Sequence, residues 1–105
     1  MDYINKLTPN EKILDISVNL ARVSDWILVD NESKQRRVDQ FLDETKQYMS
    51  TIARSDVSIR FQKTFDGFVN EFKQLLKDRH QEDKYDWAER ALTWANILQH
   101  RAKYA

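Results

Sequence analysis

The chain has 105 residues, 41% apolar and 32% charged, with 17 basic and 17 acidic side chains and a net charge of zero. That length and balance describe one globular domain with its own core, and they exclude a bulk electrostatic pull toward nucleic acid or anionic lipid. Cysteine is absent, which excludes disulfides, thiolate metal sites and a thiol nucleophile.

One proline and one glycine occur in the whole sequence, so little interrupts a helical backbone. The expected fold is all-α: a single-domain, antiparallel, up-down-up-down four-helix bundle. Residues 1–7 read as an N-terminal arm anchored by Tyr3, Ile4 and Leu7. They carry neither a basic start nor an apolar stretch, so no secretory leader is expected. No apolar run approaches the ~20 residues that span a bilayer. The expected setting is the cytoplasm, with no membrane partner.

Thr8-Pro9-Asn10-Glu11 is a capping box with proline at the first helical position. It opens a helix predicted over 9–29. Ile13, Ile16, Leu20, Val23 and Ile27 step by three and four along its core face. Leu14, Ala21 and Leu28 are expected to widen that face. Ser17 and Ser24 lie within it and permit close approach by a neighbour.

Asp30-Asn31-Glu32-Ser33 is rich in cap-forming residues and reads as a turn. A second helix is predicted over 33–54, with one apolar stripe through Val38, Phe41, Leu42, Thr45, Tyr48, Met49 and Ile52. A break at Ser55-Asp56-Val57-Ser58 precedes a third helix over 58–79. There Phe61, Phe65, Phe68 and Phe72 share a face with Val69, Leu75 and Leu76, a core pattern. Gly67 is expected to project from the opposite side, marking either a bend or a close contact.

His80-Gln81-Glu82-Asp83 reads as a loop. Asp86-Trp87-Ala88-Glu89 reads as a second capping box, although the helix has room to begin a turn earlier. This last helix runs to about Tyr104. Ala88, Ala91, Ala95, Leu98 and Ala102 form a seam of mostly small residues. Trp87 and Trp94 flank one edge of the seam and Leu92 the other. Four segments of ~20 residues joined by short links give antiparallel neighbours.

Chemistry is sparse. His80 and His100 lack the Glu-x-x-His spacing of di-metal bundles. His80 has only loop acids near it. Arg90 and His100 stand ten residues apart, too far along one helix to share a nuclease site easily. Asp39 and Asp43 fall outside the apolar stripe, where solvent keeps carboxylates ordinary. One glycine does not build a phosphate-cradling loop. No enzyme, cofactor or metal is therefore implied. A small-molecule site would require an internal pocket beside the phenylalanine stripe and Trp94.

The excess aromatics carry more. Trp26 projects about 150° from the centre of its helix's core stripe on a 3.6-residue wheel, among Asp15, Asn19 and Arg22. Either the arm or a loop covers it, or a partner does, or it is simply exposed. Ile97 and Tyr104 recur on the polar face of the last helix, beside Thr93 and between Arg90 and Arg101. The expected function is non-enzymatic: a protein–protein or self-association module docking through an aromatic strip seeded by Trp26 or by Ile97 and Tyr104, with Arg22, Trp87 and Trp94 as further interface residues. Zero net charge does little to hold copies apart.

The alternative is an accessory nucleic-acid-binding bundle that meets phosphates at its basic ends. One end gathers Lys34, Arg36, Arg37, Lys77, Arg79 and His80. The other gathers Arg54, Arg60, Lys63, His100, Arg101 and Lys103.

Overall fold

A computed structural model describes residues 2–105. A short helix, α1 (Asp2–Asn5), leads into α2 (Pro9–Trp26), α3 (Glu32–Ser50), α4 (Ile59–Lys77) and α5 (Lys84–Arg101). Single 3-10 turns at Arg54–Asp56 and Ala102–Tyr104 follow α3 and α5. The four long helices form an antiparallel all-α bundle, with no strand among the described residues.

Local chemistry sets the ends. Thr8 Oγ1 accepts from the Glu11 amide at 3.2 Å, and Glu11 Oε1 accepts from the Thr8 amide at 3.0 Å, so the capping box of α2 forms as expected. Helix α2 stops at Trp26, three residues short of the expected end, because tight turns through Leu28 and Val29 take over. Asn31 caps α3 by accepting from the Lys34 amide at 3.1 Å. Helix α3 ends at Ser50, not 54, and the Thr51 hydroxyl donates to the Tyr48 carbonyl at 2.8 Å. The cap of α5 is Asp83, which accepts from the Asp86 amide at 2.9 Å, so the Asp86 capping box is replaced by a start one turn earlier. The expected arm contains α1. Its Ile4 is buried, Leu7 packs against the core, and Tyr3 stays exposed with its hydroxyl 3.4 Å from Asp15.

Two helices define the centre. Helices α2 and α5 lie antiparallel and make the closest extended approach in the molecule. Ser24 Oγ donates to the Ala88 carbonyl at 2.8 Å at one end, and Asn10 Nδ2 donates to the Ala102 carbonyl at 2.9 Å at the other. The approach follows from side-chain size. Ser17 and Ser24 on α2 and Ala88, Ala91 and Ala95 on α5 are all buried, and helix spacing is set by the side chains at the contact.

Helix α3 joins α2 through polar stitches. Tyr48 donates to Asp15 at 2.8 Å, and Asn19 Nδ2 lies 3.4 Å from Thr45 Oγ1. Lys12 Nζ donates to the Thr51 carbonyl at 3.2 Å, placing a cation at the α3 C-terminus, where the helix dipole favours it. Helix α4 sits on α5 with Phe61, Phe65, Phe68 and Phe72 turned inward, as the spacing predicts. These large side chains hold α4 away from α3, and the two helices have no backbone approach comparable to that of α2 and α5.

Two core expectations change, and the two readings of Gly67 are separated. Leu14 and Leu28 are 42% exposed and do not widen the α2 core face. Trp87 is fully buried rather than at the edge of the seam. Gly67 faces Trp94, and a β-carbon there would lie 3.1 Å from Trp94 Cη2, so the glycine marks a close contact.

Because Ala91 is fully buried where α5 presents its smallest side chains, Ala91→Leu is expected to destabilise the protein by about 1–3 kcal/mol through overpacking. Urea denaturation followed by circular dichroism measures this directly.

Candidate functional site

Of the residues expected to dock, Trp87 is buried, Arg22 is exposed, and Trp26, Trp94, Ile97 and Tyr104 are half-buried. Trp26 is half-buried, tilted against Phe41 with ring centroids 5.1 Å apart. The Lys34 ammonium lies 5.3 Å and the Arg37 guanidinium 5.8 Å from its ring. Its cover is therefore the first turns of α3, and neither the arm nor a partner is needed to explain it. Arg22 is exposed but leans over Phe41 at 5.4 Å. Trp87 is removed from the strip altogether. Its indole N–H donates to the Leu75 carbonyl at 2.9 Å, in the last turn of α4, where helical partners run out. Trp94 is half-buried between Gly67 and Phe68, and Ile97 is half-buried as well.

The first basic end is largely spent on internal contacts. Lys34 and Arg37 cover Trp26, and Arg36 pairs with Glu32 at 3.4 Å. Arg79 is only 7% exposed, with Nε 2.7 Å from Asp39 and Nη2 bonded to both oxygens of Gln35. It locks α4 onto α3 and is not available to a phosphate. Lys77 and His80 remain exposed there.

Arg90 is likewise a strut. It contacts Glu71 at 3.0 Å, Asp78 at 3.1 Å and Asp86 at 3.7 Å. Burial disfavours its charge, but hydrogen bonds to Glu71 and Asp78 outweigh that and raise its pKa above the ordinary arginine value. Burial, followed by the hydrogen bond to Asp15 and the charges of Asp15 and Glu44, raises the Tyr48 phenol well above its usual value. Tyr48 therefore stays a neutral donor between α3 and α2.

Three surfaces remain. One is an open groove of about 330 Å³ between α3 and α4, floored by Met49, Val69, Phe72 and Leu76. Lys46 and Lys73 stand at its rim, and among the described residues neither pairs with a carboxylate. The groove exists because α3 and α4 are held apart. Sequence reasoning assigned its floor to the core, since a stripe of apolar residues does not reveal how far away the facing helix lies.

The second surface is the outer face of α2 and α5. Leu14 and Val18 are 42% and 46% exposed. They line a trough of about 400 Å³ with Asp15, Arg22, Asp25, Asn96 and Gln99, and Leu92 projects from α5 one turn before Asn96, 44% exposed. The third surface is Tyr104, surrounded by Arg60, Arg101 and Lys103, with cation-to-ring distances of 4.3, 5.6 and 5.2 Å.

Among the described residues, no buried side-chain nitrogen or oxygen lacks a hydrogen-bond partner, and no group of three or more acidic or histidine side chains is placed to hold a metal. No helix among them is long and apolar enough to cross a membrane. No protein-family model matches the chain, and no curated protein or solved structure matches it either.

Trp87→Phe is expected to cost about 2–4 kcal/mol, because it leaves a void and strips the Leu75 carbonyl of its donor. The midpoint of urea unfolding reports this, and near-native circular dichroism in buffer shows that the fold persists.

Proposed function

We propose that this chain is a non-enzymatic assembly module whose copies join head to tail. The outer face of α2 on one copy seats in the groove between α3 and α4 of the next. The groove carries the reading. It is an apolar trough with Met49, Val69 and Leu76 left half-buried and unpaired lysines at its rim. Such a surface suits an apolar helix face with acidic flanks.

The chain carries a face of that kind on the opposite side of the bundle. Leu14 and Val18 are exposed there on the walls of a trough that Asp15 and Asp25 also line. Arg22 also lines this trough, so its acids outnumber its bases by two to one. Lys46 and Lys73 of one copy would meet Asp15 and Asp25 of the next, and opposite charges at a rim fix register and partner choice. Zero net charge leaves no general repulsion to overcome. Because the two surfaces differ, the contact is heterologous, and repeated copies make a ring or an open chain.

The aromatic strip expected from sequence is thereby replaced by an aliphatic one. The partner it was expected to take, another copy of the chain, is kept.

Size-exclusion chromatography with light scattering is expected to show a mass that rises with protein concentration. Val18→Arg spoils the projecting face and Lys73→Glu spoils the groove rim. Each is expected to weaken assembly, the first by about 30-fold or more because it buries an unpaired charge. Circular dichroism checks that both variants fold. In a 1:1 mixture each variant supplies the surface the other lacks, so a dimer forms. A wild-type chain that stays monomeric at high concentration contradicts the proposal, as does a mixture that assembles no better than its components.

A further inference from the structure

Tyr104 sits where the end of α5 meets the start of α4. The Ser58 hydroxyl donates to its carbonyl, and the Ser58 amide donates to the Ala105 carbonyl at 3.0 Å. These bonds hold the final turn of the described chain against α4. The half-buried ring is thereby fixed in place, and Arg60 from α4 and Arg101 and Lys103 from the other side converge on it within 5.6 Å.

Lys34 and Arg37 over Trp26 likewise have no acidic partner, but this grouping is the one that gathers three cations on a single ring among the described residues. Arg36, Arg54, Arg79 and Arg90 each contact a carboxylate. Arg101 bonds only to neutral oxygens: Nε donates to Thr64 Oγ1 at 2.8 Å, and Nη2 lies 3.4 Å from the Arg60 carbonyl. Among the described residues, none of the three cations is paired with an acid. Three like charges gathered on one point repel one another, and the face of a tyrosine offsets that only in part. Arg60, Arg101 and Lys103 are all exposed, with no acid at ion-pair distance among the described residues.

We propose that the Arg60–Arg101–Lys103 cluster on Tyr104 is a binding site for the phosphate backbone of a single-stranded nucleic acid. Guanidinium groups present paired N–H donors in the fork geometry that phosphate oxygens accept. A strand carries a charge every few ångströms, which fits several cations gathered over one ring better than an isolated anion does. An anionic membrane would favour a broad apolar face beside the cations, and the protruding Ile59 alone does not make one. No base is read, so the site is indifferent to sequence. It lies apart from the groove residues and from Leu14 and Val18, so it does not depend on assembly.

The test is fluorescence anisotropy with a labelled oligothymidylate, using the Val18→Arg chain so that assembly does not contribute. Binding is expected at low salt, with log Kobs falling against log salt at a slope of about −2, about 0.7 per phosphate contact. Arg60→Ala and Arg101→Ala are each expected to reduce that slope by about 0.7. Tyr104→Leu keeps the net charge but removes the ring that gathers the cations, and is expected to weaken binding about threefold. Lys34→Ala with Arg37→Ala, at the opposite end, is expected to change nothing.

Three results would overturn the proposal: no binding at low salt, equal loss in the Lys34/Arg37 variant, or tighter binding to polyglutamate or phosphatidylserine vesicles than to the oligonucleotide. Circular dichroism on each variant separates loss of the site from loss of the fold.

Discussion

The packing of α2 against α5 is the constraint on which the rest of the bundle depends. Serines and alanines let these two helices close on each other along their length, with Ser24 and Asn10 bonded across the two ends. Small contact residues buy proximity but little area per residue, so the apolar burial is supplied elsewhere. It comes from the phenylalanines of α4, from Trp87 and from the aliphatic stripe of α2. A bundle that is narrow on one side and filled with rings on the other is not square. It leaves α3 and α4 apart, and an apolar groove lies between them. Leu14 and Val18 stay exposed on the outer side of the same helix pair.

Much of this was legible in the sequence. The capping box at Thr8, the four-three-four spacing of the phenylalanines and the alanine seam all encode features that depend on a few neighbouring residues, and all are found in the fold. What depends on a facing element was less legible. The periodicity of α2 places Leu14 beside Ile13, but only the diameter of the opposing helix decides whether Leu14 is covered. Trp87 lies four residues before Ala91, one turn along the same helical face, so its burial was within reach of the pattern. Its bulk argued for an edge, yet the free carbonyl of Leu75 gave its N–H a partner inside. Gly67 carried a signal whose two readings only the position of Trp94 separates.

The charged residues show the same division. Zero net charge implies no bulk pull toward polyanions, and Arg79 and Arg90 are taken up by carboxylates, Arg79 between α4 and α3 and Arg90 between α4 and α5. Zero overall charge nonetheless leaves room for local excess. Lys46 and Lys73 at the groove and the cations on Tyr104 are two places where the described residues supply no counter-charge. Trp26, a focal residue on sequence grounds, is accounted for inside the chain by Phe41 and two cations, and the candidate surfaces lie elsewhere.

In the proposed assembly, the gap left between α3 and α4 receives the outer α2–α5 face of another copy. The chain has no cysteine, so Asn96→Cys, on that outer face, carries a single nitroxide label without ambiguity. Mixed with an unlabelled, isotopically enriched copy, the labelled chain is predicted to broaden the methyl resonances of Met49, Val69 and Leu76 in a concentration-dependent way. Broadening confined to Leu14 and Val18, or none at all, would contradict the account.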